Sequence, residues 1–193
     1  MRLITSEIQA AGLEGELSVP AAATGAVIFA HGSGSSRHSP RNHYVAGVLN
    51  DAGLATLLVN VPDADRLAAV TRWLSDRPQL EGLKIGYFGA STGAAVALVA
   101  AAELPGLIHA VVSRGGRPDL AGDALERVEA PTLAIVGGND PVVLELNRQA
   151  LARMHCPKQL HVIPGAGHLF QEPGALEEVA RLAQGWFLRS LAL

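Results

Sequence analysis

The residues in this chain best suited to chemistry are a serine, an aspartate and a histidine, each at the end of an apolar run. Gly89-Ala90-Ser91-Thr92-Gly93 is a G-x-S-x-G sequence between the run Lys84–Gly89 and an alanine-rich helical stretch, Thr92–Glu103. A sharp turn from strand to helix forces its central residue into a strained backbone conformation, and side chains two positions away on either side would collide. Such a turn lifts the serine hydroxyl clear of the backbone, at a helix start whose N–H groups favour developing negative charge. The bland alternative is an ordinary tight turn in a glycine-rich chain.

A serine hydroxyl is a weak nucleophile at neutral pH and needs a base, which in turn needs an orienting acid. Asp140 follows the run Thr132–Gly137 in "LAIVGGND", and His168 lies in "IPGAGHLF" beyond the run Gln159–Ile163. Asp140 before Pro141 could serve only as a helix N-cap, and His168 could be an ordinary surface histidine. Asp119 is the rival acid. The order Ser91, Asp140, His168 is the one expected when a nucleophile elbow is carried on an open α/β sheet.

The loop "HGSGSSRHSPRN", His31 to Asn42, follows another apolar run. A dinucleotide loop would want G-x-G-x-x-G and an acid ending the next strand. Here Arg37 replaces the third glycine and Asn60 the acid, and no G-K-[ST] is present. The loop fits better as half of an oxyanion hole, with the Ser33 and Thr92 N–H groups facing each other across Ser91. Losing one such donor typically costs about 3 kcal/mol. His31 precedes the site and is expected to tie the loop down. Arg37, Arg41, Arg114 and Arg117 all read as loop residues at this end. They could bind a carboxylate or phosphate on the substrate, or brace loops against Asp63, Asp65 or Asp119.

The positioning elements follow from the apolar pattern. The runs Ala26–Ala30, Ala55–Val59, Lys84–Gly89, His109–Ser113, Thr132–Gly137 and Gln159–Ile163 lack polar alternation, as a parallel sheet covered on both faces requires. Helical patterns near Tyr44–Asp51, Ala64–Ser75, Thr92–Glu103, Pro141–Met154 and Ala175–Leu191 separate them. Ile4–Ile8 and Gly15–Val19 alternate and are expected as an antiparallel hairpin on the sheet edge. The expectation is an open, mostly parallel α/β sheet of about eight strands with helices on both faces. Ligands gather outside the carboxyl ends of such strands, where the residues above fall.

Composition sets the outer limits. The 193 residues are 49% hydrophobic but only 4% aromatic, so one domain, 1–193, is expected with a core of Ala, Val and Leu. A formal net charge of −3 without long charge runs argues against a nucleic-acid surface. Cys156 is the single cysteine, which rules out an internal disulfide and fits a reducing compartment. The apolar window Gly93–Val112 is broken by Glu103, Pro105 and His109, and no signal-peptide pattern opens the chain. A cytoplasmic enzyme without membrane contact is expected. The spacing of His31, His38 and His43 matches no common metal-ligand motif, and no cofactor is implied.

Taken together, these segments resemble the α/β-hydrolase superfamily, in particular its dienelactone-hydrolase-like group, through "AHGSGSSRHSPRN", "IGYFGASTGAA", "SRGGRPDL", "GGNDPVV" and "GAGHLF". The resemblance implies the α/β-hydrolase fold, Ser91 as nucleophile, Asp140 as acid, His168 as base, and Ser33 with Thr92 as oxyanion hole. Two departures stand out. Dienelactone hydrolases carry cysteine where this chain has Ser91, which favours a serine esterase acting on small carboxylic esters. Only "VPDAD" joins the run at Leu57–Val61 to the next helix, where similar chains are longer, so no lid or a minimal one is expected. Apolar surface uncovered there would allow a homodimer. Thioester, amide or perhydrolase chemistry would use the same triad, and a catalytically weak binding protein would keep the same fold.

Overall fold

Val27, Ile28 and Phe29 are all but inaccessible to solvent, so the strand that carries them is covered on both faces. That strand, β3 (Gly25–Ala30), lies inside an eight-stranded sheet built with β1 (Leu3–Ala10), β2 (Leu13–Pro20), β4 (Leu54–Val59), β5 (Ile85–Ala90), β6 (Ile108–Arg114), β7 (Thr132–Gly137) and β8 (Lys158–Ile163). The computed structural model describes residues 2–192. Strand order is β1-β2-β4-β3-β5-β6-β7-β8. From β4 to β8 every pairing is parallel, while β1 and β2 form an antiparallel hairpin that joins the edge through β2 and β4. The hairpin turns through Ala11 and Gly12, both at positive φ (50° and 80°), as a two-residue turn of matching twist needs.

Five helices cover the sheet: α1 (Pro40–Asp51), α2 (Ala64–Ser75), α3 (Gly93–Glu103), α4 (Pro141–Arg153) and α5 (Ala175–Ser190). Side-chain alternation along the strands divides the core into two layers. Ile28, Leu57, Tyr87 and Val111 pack with Leu67 of α2 and Leu98 of α3 on one face. Phe29, Phe88, Val112 and Ile135 pack with Leu49 of α1 and Val179 and Phe187 of α5 on the other. Alanine-rich α3 has no strongly polar side. It is buried along most of its length because α2 and the segment Pro118–Arg127 lie against it.

The expected strands and helices are all present, with three differences that bear on function. Helix α1 begins at Pro40, not near Tyr44, because Ser39 Oγ accepts the Asn42 N–H at 3.4 Å and Pro40 takes the first helical position. Arg41, expected on a loop, is therefore held in the first turn of a helix. Arg114, also expected on a loop, is the last residue of β6. Pro118–Arg127 forms two short 3-10 turns interrupted at Gly122 (φ 56°, ψ −132°), a segment with no clear period in the sequence. Between β4 and α2 only residues 60–63 intervene, and Asp63 caps α2 by accepting the Arg66 N–H at 2.9 Å. No helix among the described residues is long and apolar enough to cross a membrane.

Candidate active site

Ser91 stands between β5 and α3 with φ at 52°, a left-handed conformation rare for a residue with a side chain. The flanking glycines make this turn sterically feasible. A Cβ on Gly89 would lie 2.5 Å from Ala94 Cα, and one on Gly93 would lie 2.2 Å from the Ala30 carbonyl oxygen. Neither clash can be relieved by a side-chain rotation, because both obstacles are backbone. The Ser91 N–H donates to the Arg114 carbonyl and the Ser91 carbonyl accepts from Arg117 N–H, at 3.1 and 3.0 Å. The strained residue is thus pinned by its neighbours on β6 and the loop beyond it.

His168 and Asp140 arrive from the ends of the next strands. Ser91 Oγ lies 3.3 Å from His168 Nε2, and His168 Nδ1 lies 2.7 Å from Asp140 Oδ2. Asp140 precedes α4, yet its side chain makes no capping bond, so the carboxylate is left free for the imidazole. Pro141 occupies the first helical position, where its missing N–H leaves no backbone donor unsatisfied. The loop bearing His168 is anchored by buried Phe170, itself at φ 53°, and by Glu172 Oε1, which accepts the Gly167 N–H at 3.0 Å. Close passage of that loop over the sheet explains Gly137, where a Cβ would lie 2.2 Å from the Ala166 carbonyl oxygen. Asp119, the rival acid, is engaged by Arg117 in a two-pronged ion pair at 2.8 and 2.9 Å. That pair holds the Asp119 carboxyl below the usual carboxylate range, chiefly through its hydrogen bonds to the guanidinium.

Opposite the serine, the glycine-rich loop after β3 approaches so closely that a Cβ on Gly32 would sit 3.1 Å from Ser91 Cβ. Ser33 and Thr92 face each other as expected, but not as two open donors. The Ser33 N–H donates to Thr92 Oγ1 at 2.8 Å, and Ser33 Oγ lies 3.0 Å from the same oxygen. The Ser33 N–H is thus already engaged by the Thr92 side chain. Beneath the loop, His31 Nε2 accepts the Val61 N–H at 3.2 Å, fastening the end of β3 to the segment after β4.

The four arginines separate into two pairs. Arg37 forms an ion pair with Glu7 of the edge hairpin at 3.0 Å, and Arg117 is held by Asp119, so neither faces the cleft as a substrate-binding residue was expected to. Arg41 and Arg114 do line it, together with Ser33, Ser91 and His168, around a volume of about 360 Å³. Ser39, Asn42 and Leu169 also line this cleft and were not expected there. The Ser39-Pro40 pair was the available signal for the first two, since it marks the start of α1. Among the described residues no group of three or more His, Cys, Asp or Glu side chains is placed to hold a metal ion. The arrangement suits covalent acyl transfer: a half-buried nucleophile opening on the cleft, a base within reach, an acid orienting the base, and N–H donors beside them.

Comparison with known proteins gives the family and the fold. The family model described as "Dienelactone hydrolase family" matches residues 54–189. A crystal structure of dienelactone hydrolase from Anabaena variabilis ATCC 29413 is 50% identical, with a TM-score of 0.95 over 99% of this chain and 100% of that one. The ferulic acid-bound structure of Est1E from Butyrivibrio proteoclasticus has a TM-score of 0.81 at 18% identity, covering 96% of this chain and 98% of that one, a likeness of fold. A Mycobacterium tuberculosis H37Rv protein with the provisional name phosphoribosyl transferase is 58% identical over 193 residues, covering 92% of this chain and 44% of that protein. The chain therefore spans less than half the length of that curated relative.

Proposed function

The chain belongs to the dienelactone hydrolase family, and from this we propose that it is a serine hydrolase that cleaves small carboxylic esters through an acyl-enzyme. The observation that carries the reading is the continuous relay from Ser91 Oγ to His168 Nε2 and from His168 Nδ1 to Asp140 Oδ2, at 3.3 and 2.7 Å. A relay of this kind removes the serine proton as the oxygen attacks an electrophile such as an ester carbonyl carbon.

In this mechanism His168 takes the Ser91 proton while Oγ bonds to the ester carbonyl. Negative charge builds on the carbonyl oxygen, and the Thr92 and Ser33 N–H groups stabilise it. The Ser33 N–H becomes available when the Thr92 side chain turns away. Imidazolium His168 is stabilised by Asp140 and protonates the departing alcohol. Water, deprotonated by the same imidazole, then attacks the acyl carbon and releases the acid. A proton-relay separation of 3.3 Å in the unliganded site is ordinary, since such contacts tighten around bound substrate.

The transferase in the name of the Mycobacterium tuberculosis relative is not carried over to this chain, which spans less than half of that protein. A nucleophile–base–acid relay serves acyl chemistry, and this chain spans 44% of that protein. Hydrolysis of p-nitrophenyl butyrate, with Ser91→Ala as control, tests the reading. Turnover is expected to be lost in the variant, and a fluorophosphonate probe is expected to label the wild type at Ser91. Equal turnover by the two proteins would refute the assignment.

A further inference from the structure

Arg41 and Arg114 stand out because no acidic side chain among the described residues pairs with them. Among the described residues neither guanidinium makes a hydrogen bond or an ion pair within 4.0 Å, and the Nε of each is buried without a partner. Arg114 is 7% exposed. Burial, and secondarily the charge of Arg41, push its pKa down to about 10, which still leaves it protonated at neutral pH. Acids that might have neutralised the pair are engaged elsewhere. Glu7 serves Arg37, Asp119 serves Arg117, Asp63 caps α2, and Glu172 accepts the Gly167 N–H. Glu172 and Glu177 border a neighbouring groove with Arg41, but neither comes within ion-pairing distance of it. Two like charges with no counter-charge are costly in a folded protein unless a ligand supplies one.

We propose that Arg41 and Arg114 form a phosphate-binding subsite of the Ser91 cleft, so that the ester cleaved there carries a phosphate group. This deepens the hydrolase reading and rests on it. Arg41 and Arg114 line the same cleft as Ser91 and His168, and no Asp or Glu lines it. Phosphate fits better than carboxylate for two reasons. A phosphate monoester carries between one and two negative charges at neutral pH, close to the two positive charges present, whereas a carboxylate carries one. Phosphate also offers three terminal acceptor oxygens, and the lining residues are rich in donors: two arginines and the Ser35 and Ser39 hydroxyls. Ser39 Oγ already accepts the Asn42 N–H, which leaves its own O–H free to donate. The Phe170 ring, 5.9 Å from Arg114 Cζ, helps hold that fork in one orientation. The phosphate is retained in the reaction. The bond broken is the acyl carbon–oxygen bond, with the hydroxyl of water going to the acyl carbon and its proton to the alcohol.

The test compares butyryl esters of glycerol 3-phosphate, glycerol and glycerate, which differ in the group offered to the arginines. The wild type is expected to prefer the phosphorylated ester over the glycerol ester by about thirtyfold in kcat/KM, mainly through KM. In Arg114→Gln and Arg41→Gln that ratio is expected to fall to about threefold or less, and Arg114→Lys should recover part of it. An unchanged ratio in both Gln variants would overturn the proposal, and so would a glycerate ester processed as well as the phosphate. Calorimetric titration of inorganic phosphate into Ser91→Ala separates this outcome from failure of the hydrolase reading. Binding that is lost in Ser91→Ala/Arg114→Gln supports the subsite even if no ester is turned over. Absence of binding to Ser91→Ala refutes it even if Ser91 proves fully reactive.

Discussion

Asp140 Oδ2 lies 2.7 Å from His168 Nδ1, although Asp140 stands where a helix would ordinarily use its carboxylate as a cap. The two roles compete for the same oxygens. A carboxylate accepting N–H groups from the first turn of α4 would be turned from the histidine. The N–H groups of Val142 and Val143, which a capping carboxylate would accept, donate no bond to the Asp140 side chain, and the carboxylate goes to the histidine instead.

Asp140→Asn should therefore preserve the fold while disabling the relay. An amide of the same shape still occupies the site but can hold His168 in the wrong tautomer, with its proton on the nitrogen facing Ser91. Loss of such an acid lowers turnover by about 10⁴-fold in related relays. Ester turnover and the rate of fluorophosphonate labelling are both expected to fall steeply, with an unchanged circular dichroism spectrum. Activity within tenfold of wild type would show that another group orients His168.

Replacing Ser91 by glycine or by alanine separates chemistry from strain. Both variants lack the nucleophile, but only alanine must keep a Cβ at a φ of 52°. A left-handed conformation costs a residue with a side chain about 1 kcal/mol or more relative to glycine. Ser91→Gly is expected to melt about 2–4 °C above Ser91→Ala in a chain of this size. Equal melting temperatures would mean that the turn relaxes and that the strain is not stored at this residue.

Much of the fold could be read from the sequence because the parallel strands are buried on both faces and so appear as unbroken apolar runs. Ser91, Asp140 and His168 could be read for a related reason: in an open sheet, catalytic groups follow strand ends, and local glycines mark the turns. What remained hidden depends on contacts distant in sequence. Arg37 finds Glu7 thirty positions away, on the edge hairpin, and no local pattern announces that pairing. Arg117 was the more legible case, since Asp119 lies two residues on. The early start of α1 was obscured because Ser39-Pro40 ends a serine-rich loop, and that start decides where Arg41 and Asn42 lie. The contact of Thr92 Oγ1 with Ser33 depends on one side-chain rotamer, and the sequence does not specify it.

That rotamer has a kinetic consequence. With Thr92 Oγ1 accepting the Ser33 N–H at 2.8 Å, the hydroxyl competes with the oxyanion for one of its two donors. Thr92→Val keeps the shape and the backbone N–H but removes the competing acceptor. The labelling rate with a fluorophosphonate is expected to rise about three- to tenfold, a fraction of what a full oxyanion donor contributes. A fall instead would show that the hydroxyl aligns the Ser33 loop more than it obstructs it.

Arg114 offers a prediction about stability that does not depend on any substrate. Its pKa in the folded protein is pushed from the ordinary guanidinium value down to about 10, chiefly by burial, so folding disfavours its charged form. Between those two values the unfolded chain binds more protons than the native one, and stability contributed by this group rises with pH across that window. Below about pH 10 the full penalty is present. Arg114→Met removes the charge and keeps the apolar stem that packs near Phe170. Replacing a buried charge with a well-packed apolar side chain commonly stabilises by about 1–4 kcal/mol. The variant is expected to melt several degrees above wild type at pH 7 by calorimetry, with a smaller gap as the pH approaches 11, where wild-type Arg114 is mostly neutral. A variant that melts below wild type at pH 7 would mean that Arg114 makes a stabilising interaction beyond the contacts described above.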